Sequence, residues 1–307
     1  MTFLSLLAAL LFEQVRPLRP GNAVHALYGR YAVSLERRFN GGKDEHGIVA
    51  WGLAVLGPVA ATLAIYLLLY RASPVLAWAW NVVVLYFTMG FRQFSHYFNE
   101  ILQALQEGRA DRARERLAQW RGAPAPELAS NEIARAAIES GLVSSHRHVF
   151  GPIASFIVLG PAGAVLYRAA ATLSDRWGGR SDPERGTFGR FAERFFWWLD
   201  WLPSRVTAAS FAIVGNFEDA VYCWRTQTQA WSMHTHGIIL STGAGAIGVR
   251  LGEGGHHYNG IELRAEAETG DEADIDYMQS AVGLIWRALV LWMFLVLVVT
   301  VAYFLGR

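Results

Sequence analysis

The residues of this chain whose types and spacing suit chemistry are nine histidines, an acidic pair inside an apolar stretch, and a glycine-rich run. Six histidines form close pairs: His146/His148, His234/His236 and His256/His257. Clustered imidazoles suit zinc or another transition metal. Residues two apart do not share a helix face, however, and no carboxylate or thiol stands at ligand spacing. Separate polar histidines and no metal are therefore expected. Glu218 and Asp219 lie within Val206–Trp224. Charge in an apolar helix faces a cavity or a partner, with Arg205 available as that partner. Alternatively, Asn216–Asp219 is a loop and the helix never enters the bilayer. Gly243–Gly255 contains G-x-G-x-x-G, but no strand signal precedes it and no acidic residue follows at the right distance, so it is no dinucleotide fingerprint. Cys223, between Tyr222 and Trp224, reads as a packed residue rather than a nucleophile, and a single cysteine forms no intramolecular disulfide. Phosphate-loop, zincin and nucleophile-elbow motifs are absent from the sequence.

These residues must be positioned by membrane helices. Of 307 residues, 53% are hydrophobic and 17% charged, against about 25% charged in soluble domains. Twelve Trp and eleven Tyr suit two membrane interfaces. A net charge of +1 gives no footprint for nucleic acid. Spans are expected over residues 48–70, 75–91 and 282–305, the last carrying Arg287 near its start, where it can snorkel. Met1–Phe12 is too short to cross and lacks a cleavage site, so it reads as an interfacial or half-buried helix.

Two apolar segments, 149–166 and 206–224, are ambiguous. Arginines follow the first hairpin (Arg109, Arg112, Arg114, Arg116, Arg121, Arg135, Arg147) and also follow residue 166 (Arg168, Arg176, Arg180, Arg185, Arg190, Arg194, Arg205). A crossing between the two groups breaks the positive-inside rule, whereas a re-entrant helix pair kinked at Gly160-Pro161 keeps it. Both basic groups and the N-terminal region are then cytoplasmic. Residues 92–148 are expected as a cytoplasmic helical region, with helices over Ala104–Trp120 and Asn131–Ser140, the latter capped by Ser130. Gly252–Asp276 is a polar, acidic loop. The fold class is an all-α, polytopic integral membrane protein with cytoplasmic amphipathic helices, forming one domain over 1–307.

Five ordered blocks carry a resemblance over nearly the whole chain. They are Glu132–Ser140 (E-I-A-R-A-A-I-E-S), the Pro152 segment, Gly160–Leu173 (G-P-A-G-A-V-L-Y-R-A-A-A-T-L), Leu199–Ala208 (L-D-W-L-P-S-R-V-T-A) and Gly245–Gly252 (G-A-I-G-V-R-L-G). Together they resemble the CobD/CbiB family of cobalamin-biosynthesis membrane proteins. The resemblance implies ATP-dependent joining of an aminopropanol-type amine to adenosylcobyric acid. The polar motifs depart from the family. Val143–His148 (V-S-S-H-R-H) stands for E-N-T-S-D-G, Ala171–Asp175 (A-T-L-S-D) for N-T-L-D-S, and Met233–Leu240 (M-H-T-H-G-I-I-L) for S-P-N-A-G-x-P-E. The paired aspartates before W-I-P-A-R appear only as Leu199-Asp200. The opening L-L-A-A-L-L-F-E-Q and Leu199–Pro203 are similar to the divergent AmpE branch.

That pattern gives as the expected function a re-purposed, non-catalytic, AmpE-like modulator of envelope state, without cofactors. The alternative is a cobinamide-phosphate synthase using ATP and Mg, with carboxylates from the acidic loop or from Asp200, Glu218 and Asp219. A transporter or binder of a small amphiphile is a third reading. The expected ligand-binding patch is the cytoplasmic mouth formed by His146, Arg147, His148, Asp200, Arg205, Glu218 and Arg250, suited to an anionic ligand. Expected partners are membrane lipid, an anionic small molecule or corrinoid, and a second copy in a homo-oligomer, but not nucleic acid. The expected location is the bacterial inner membrane.

Overall fold

A computed structural model of the chain describes residues 1–17, 22–122, 128–178, 187–228, 234–252, 256–258, 261–263 and 270–306. Twelve helices account for nearly all of them: α1 (Thr2–Val15), α2 (Ala23–Phe39), α3 (Asp44–Ala72), α4 (Pro74–Thr88), α5 (Phe91–Gln106), α6 (Ala110–Arg121), α7 (Ser130–Ser145), α8 (Gly151–Trp177), α9 (Arg190–Val214), α10 (Phe217–Gln227), α11 (His234–Ile247) and α12 (Ile275–Leu305). A π-helical turn, His146–Phe150, joins α7 to α8. Strands β1 (His256–Tyr258) and β2 (Ile261–Leu263) form a small antiparallel ribbon. The helices fall into two compact units. One comprises residues 1–92, 148–203 and 296–307, and the other residues 93–147 and 204–295.

By length and composition α3, α12 and the stretch Ser130–Trp177 suit a bilayer, which makes the chain an all-α membrane protein. α3 and α12 leave Leu56, Leu68, Val290, Phe294 and Val299 uncovered by protein, as a lipid-facing surface requires. α4 is shorter than the 75–91 span expected from hydropathy. It ends at Thr88, and its 15 residues reach about 22 Å against a hydrocarbon core of about 30 Å. Ser73 starts it, accepting a hydrogen bond from the Val75 amide.

Ser130–Trp177 is not one rod. Gly160, at φ 64° and ψ −153°, breaks α8 ahead of Pro161, in a region that glycine alone visits freely. The chain folds back so tightly that a Cβ on Gly163 would lie 2.2 Å from the Ser155 carbonyl oxygen, and one on Gly151 would lie 2.1 Å from the Tyr167 ring. The part of the outgoing arm beyond the π-helical turn, 151–159, rises about 13 Å before the reversal. This is the kinked helix pair expected from Gly160-Pro161. Its tip exposes Val158 and Leu159.

Around this hairpin the first unit packs Ala32 and Leu35 of α2, Trp51 and Val55 of α3, Tyr167 and Leu173 of α8, and Phe188 and Phe196 into one core. Tyr28 of α2 donates to the carbonyls of Ala54 and Ala169, both at 3.4 Å.

The second unit differs from the expected cytoplasmic helical region. The anticipated helix over Ala104–Trp120 is two, α5 and α6, parted at Gly108 (φ 69°). α7 begins at Ser130 itself, with the Glu132 carboxylate accepting from the Ala129 amide at 2.7 Å. It is buried throughout Ile133–Ser145 rather than bathed in water, because α6 and α11 pack on it. The glycine-rich run ends α11, and a Cβ on Gly245 would meet the Asp219 carbonyl of α10 at 2.4 Å. Gly243 and Gly245 thus let helices approach closely.

Candidate functional site

Charge buried in an apolar setting must be paired or hydrogen-bonded, so the polar residues sealed inside each unit mark where function is to be sought. In the second unit they run along α7. Glu139 is 1% exposed. It accepts from the Gly252 amide at 2.8 Å and faces the Arg121 guanidinium at 3.7 Å, which also donates to Ser140 Oγ at 3.3 Å. Gly252, 113 residues away in sequence, is thereby tied to the middle of α7.

Two turns further on, the ladder loosens into the π-helical turn, a feature often found at functional positions. His146 is sealed there, with Nδ1 3.0 Å from Thr207 Oγ1. Arg147 is buried as well. His236 of α11 is enclosed in the same unit, and burial, followed by the charges of Arg147 and His146, holds its imidazole well below the usual histidine range. The α7–α11 seam therefore stores guanidinium charge beside a neutral imidazole.

In the first unit Asp200, 1% exposed, accepts from Tyr167 Oη at 2.7 Å. Arg168 Nη1 lies 3.0 Å from His148 Nδ1. A guanidinium only donates, so His148 Nδ1 accepts and its ring is the neutral Nε2–H form. The Gly90 amide donates to the His148 carbonyl at 3.1 Å. His25 shows the same tautomer, with Nε2–H donating to the Phe87 carbonyl and Nδ1 accepting from the Asn22 amide group, both at 3.1 Å.

The expected patch is thus divided between the two units. His146, Arg147, Arg205, Glu218 and Arg250 belong to the second and His148 and Asp200 to the first. Glu218 lies exposed in the first turn of α10, as does Asp219, whose amide donates to the capping Asn216 side chain. Carboxylates there complement the helix dipole, and the Gly215–Asn216 break interrupts the ambiguous 206–224 segment. Arg205 and Arg250 are half-buried. Cys223 is buried, as expected of a packed residue. The side chains of His234, His256 and His257, and most of the acidic 252–276 segment, lie outside the described residues, as do Arg180 and Arg185. Among the described residues no three His, Cys, Asp or Glu side chains gather as a metal site. Sequence reasoning missed Glu139, Tyr167, Arg168 and His236. Glu139, Tyr167 and Arg168 lie in the family-like blocks, which was the available signal.

A polytopic helical membrane protein with buried charge joining its ordered sequence blocks is the class this geometry defines. The family model of the CobD/Cbib protein matches residues 5–285, and the chain belongs to that family. It is similar to the cobalamin biosynthesis protein CobD of Stutzerimonas stutzeri (strain A1501), with 34% identity over 302 residues covering 96% of this chain and 97% of that one. It is 36% identical over 211 residues to the protein of the same name from Chromobacterium violaceum, covering 69% and 67% of the two chains. No solved structure matches. These relatives support the biosynthetic alternative and correct the expectation of a non-catalytic envelope modulator. That expectation weighed the polar motifs by their spelling alone.

Proposed function

We propose that this chain is a membrane-embedded enzyme of cobalamin biosynthesis of the cobinamide-phosphate synthase type, forming an amide between a corrinoid carboxylate and an aminopropanol-type amine. The observation that carries this reading is how the family-like blocks meet. Glu132–Ser140 is tied to Gly245–Gly252 through Glu139, and Gly160–Leu173 to Leu199–Ala208 through Tyr167 and Asp200. Amide synthesis at a carboxylate needs donors that stabilise developing negative charge and a base for the amine. Arg121 and Arg147 of the second unit are donors of that kind, fitted to phosphate or carboxylate by their planar forks. ATP would activate the carboxylate. The arginine-rich donor set suits its phosphates, while a Mg²⁺ ion carried on them needs only one or two protein carboxylates. The run of arginines on the N-terminal side of α3 supports a cytoplasmic position for that side, in a bacterial inner membrane.

The test is complementation. Expressed in a cobalamin-making strain that lacks its own synthase of this type and is fed cobyric acid, the wild-type gene should restore cobalamin-dependent growth. Glu139→Gln and Arg147→Ala should abolish it while still accumulating in the membrane. Failure of the wild type, with protein present in the membrane, overturns the reading.

A further inference from the structure

The first unit carries a second polar feature, open to solvent. α2 and the end of α8 enclose a groove of about 640 Å³, lined by Gly29, Arg30, Ser34, Arg37, Arg38 and Arg176 among others and by no carboxylate. Arg30, Arg37 and Arg38 make no ion pair among the described residues, and their side chains are exposed. Gly29 shapes the floor. A Cβ there would lie 2.8 Å from Arg176 Nη2, so the absence of a side chain lets the guanidinium rest against the α2 backbone at the groove.

The register of α2 against α3 fixes the depth of the groove. The two helices run antiparallel, with Tyr31 Oη donating to the Leu53 carbonyl at 3.1 Å and Tyr28 reaching Ala54. Leu53 and Ala54 lie about 15 Å along α3 from its start at Asp44. The N-terminal half of α2 is therefore alongside the apolar part of α3, and there it exposes Val24, Leu27 and Tyr31. Its C-terminal end, with Arg37 and Arg38, is level with the polar start of α3. One helix thus presents apolar side chains at acyl-chain depth and arginines at headgroup depth, next to a groove of headgroup size. A soluble phosphate ester would use the arginines but not the apolar stripe.

We infer that this groove is a binding site for the phosphate of an anionic phospholipid, whose chains lie along Val24, Leu27 and Tyr31. Guanidinium forks match phosphate oxygens, and arginines at this depth favour anionic over zwitterionic headgroups.

The full-length protein is reconstituted in nanodiscs of phosphatidylcholine containing a minority of phosphatidylglycerol and extracted into mild detergent, and the retained lipid is quantified by mass spectrometry. Phosphatidylglycerol should be enriched over its input ratio by roughly tenfold. The enrichment should disappear in the Arg30→Gln/Arg37→Gln/Arg38→Gln variant and weaken in Gly29→Ala. Equal retention of the two lipids by the wild type overturns the proposal without need of any variant, as does undiminished enrichment in the triple variant. Displacement of the lipid by millimolar inorganic phosphate or glycerol phosphate overturns the lipid assignment and gives the groove to a soluble phosphate compound. Persistence of the lipid in their presence supports it.

Discussion

A single side chain can report on the α7–α11 seam. His236 is buried and neutral in the folded protein, its ring disfavoured as a cation by desolvation and by Arg147. The unfolded chain takes up a proton at the ordinary histidine pKa of 6.5. The unfolded state therefore binds more protons below that pH, and stability is fully present above it and lost as pH falls through it. Thermal melting in detergent should show a Tm constant from pH 8 to 7 and declining towards pH 5, at up to about 1.4 kcal/mol per pH unit. His236→Gln should flatten that decline, and an unchanged slope in this variant would refute the assignment. The sequence did not disclose this role. His236 was visible only as half of an H-T-H pair, whereas its neutrality comes from burial and then from Arg147 and His146 of the π-helical turn, some ninety positions away. Glu139 was hidden for the same reason. In an Ala- and Arg-rich helix a glutamate reads as solvated, and only α6 and the Gly252 amide turn it into a buried anchor.

Among the elements, the α8 hairpin was legible and α4 less so. A Gly-Pro pair amid apolar residues offers a backbone that can reverse and a residue that cannot continue the preceding ladder, and the charge distribution on either side favoured a reversal over a crossing. The end of the second span at Thr88 was not legible, because apolar residues continue to Phe91 while the helix does not. Likewise the break at Gly108 left no trace in the pattern of charges. The hairpin makes a prediction with its own control. At Gly163 a new Cβ would collide with the Ser155 carbonyl at 2.2 Å, whereas Gly52 and Gly57 of α3 have nothing within 4 Å. Gly163→Ala should lower the melting temperature markedly, through a cost of about 1–3 kcal/mol of the kind that overpacking imposes. Gly57→Ala should leave it unchanged or raise it slightly. Equal melting of the two variants would show that the arms are not in contact.

For the whole molecule, what matters is how often the chain changes sides. In a background where Cys223 is replaced by Ser, single cysteines at Lys43, Ala72 and Asp175 can be probed with an impermeant thiol reagent in right-side-out and inverted vesicles. Lys43 and Ala72 bracket α3 and should label from opposite sides. Asp175, beyond the hairpin, should label with Lys43. Labelling together with Ala72 would mean that the apolar stretch crosses after all. The reversal at Gly160 also bears on how the protein is made. The insertion machinery meets an apolar window inside the 48-residue helical stretch Ser130–Trp177, yet the reversal at Gly160 leaves peptide groups near the tip that lipid cannot satisfy. Release of that segment must then wait for α3 and α4, which are synthesised earlier and pack on it. Biogenesis is ordered from the N-terminus, and a chain whose first hairpin is slow to insert would strand the second at the translocon.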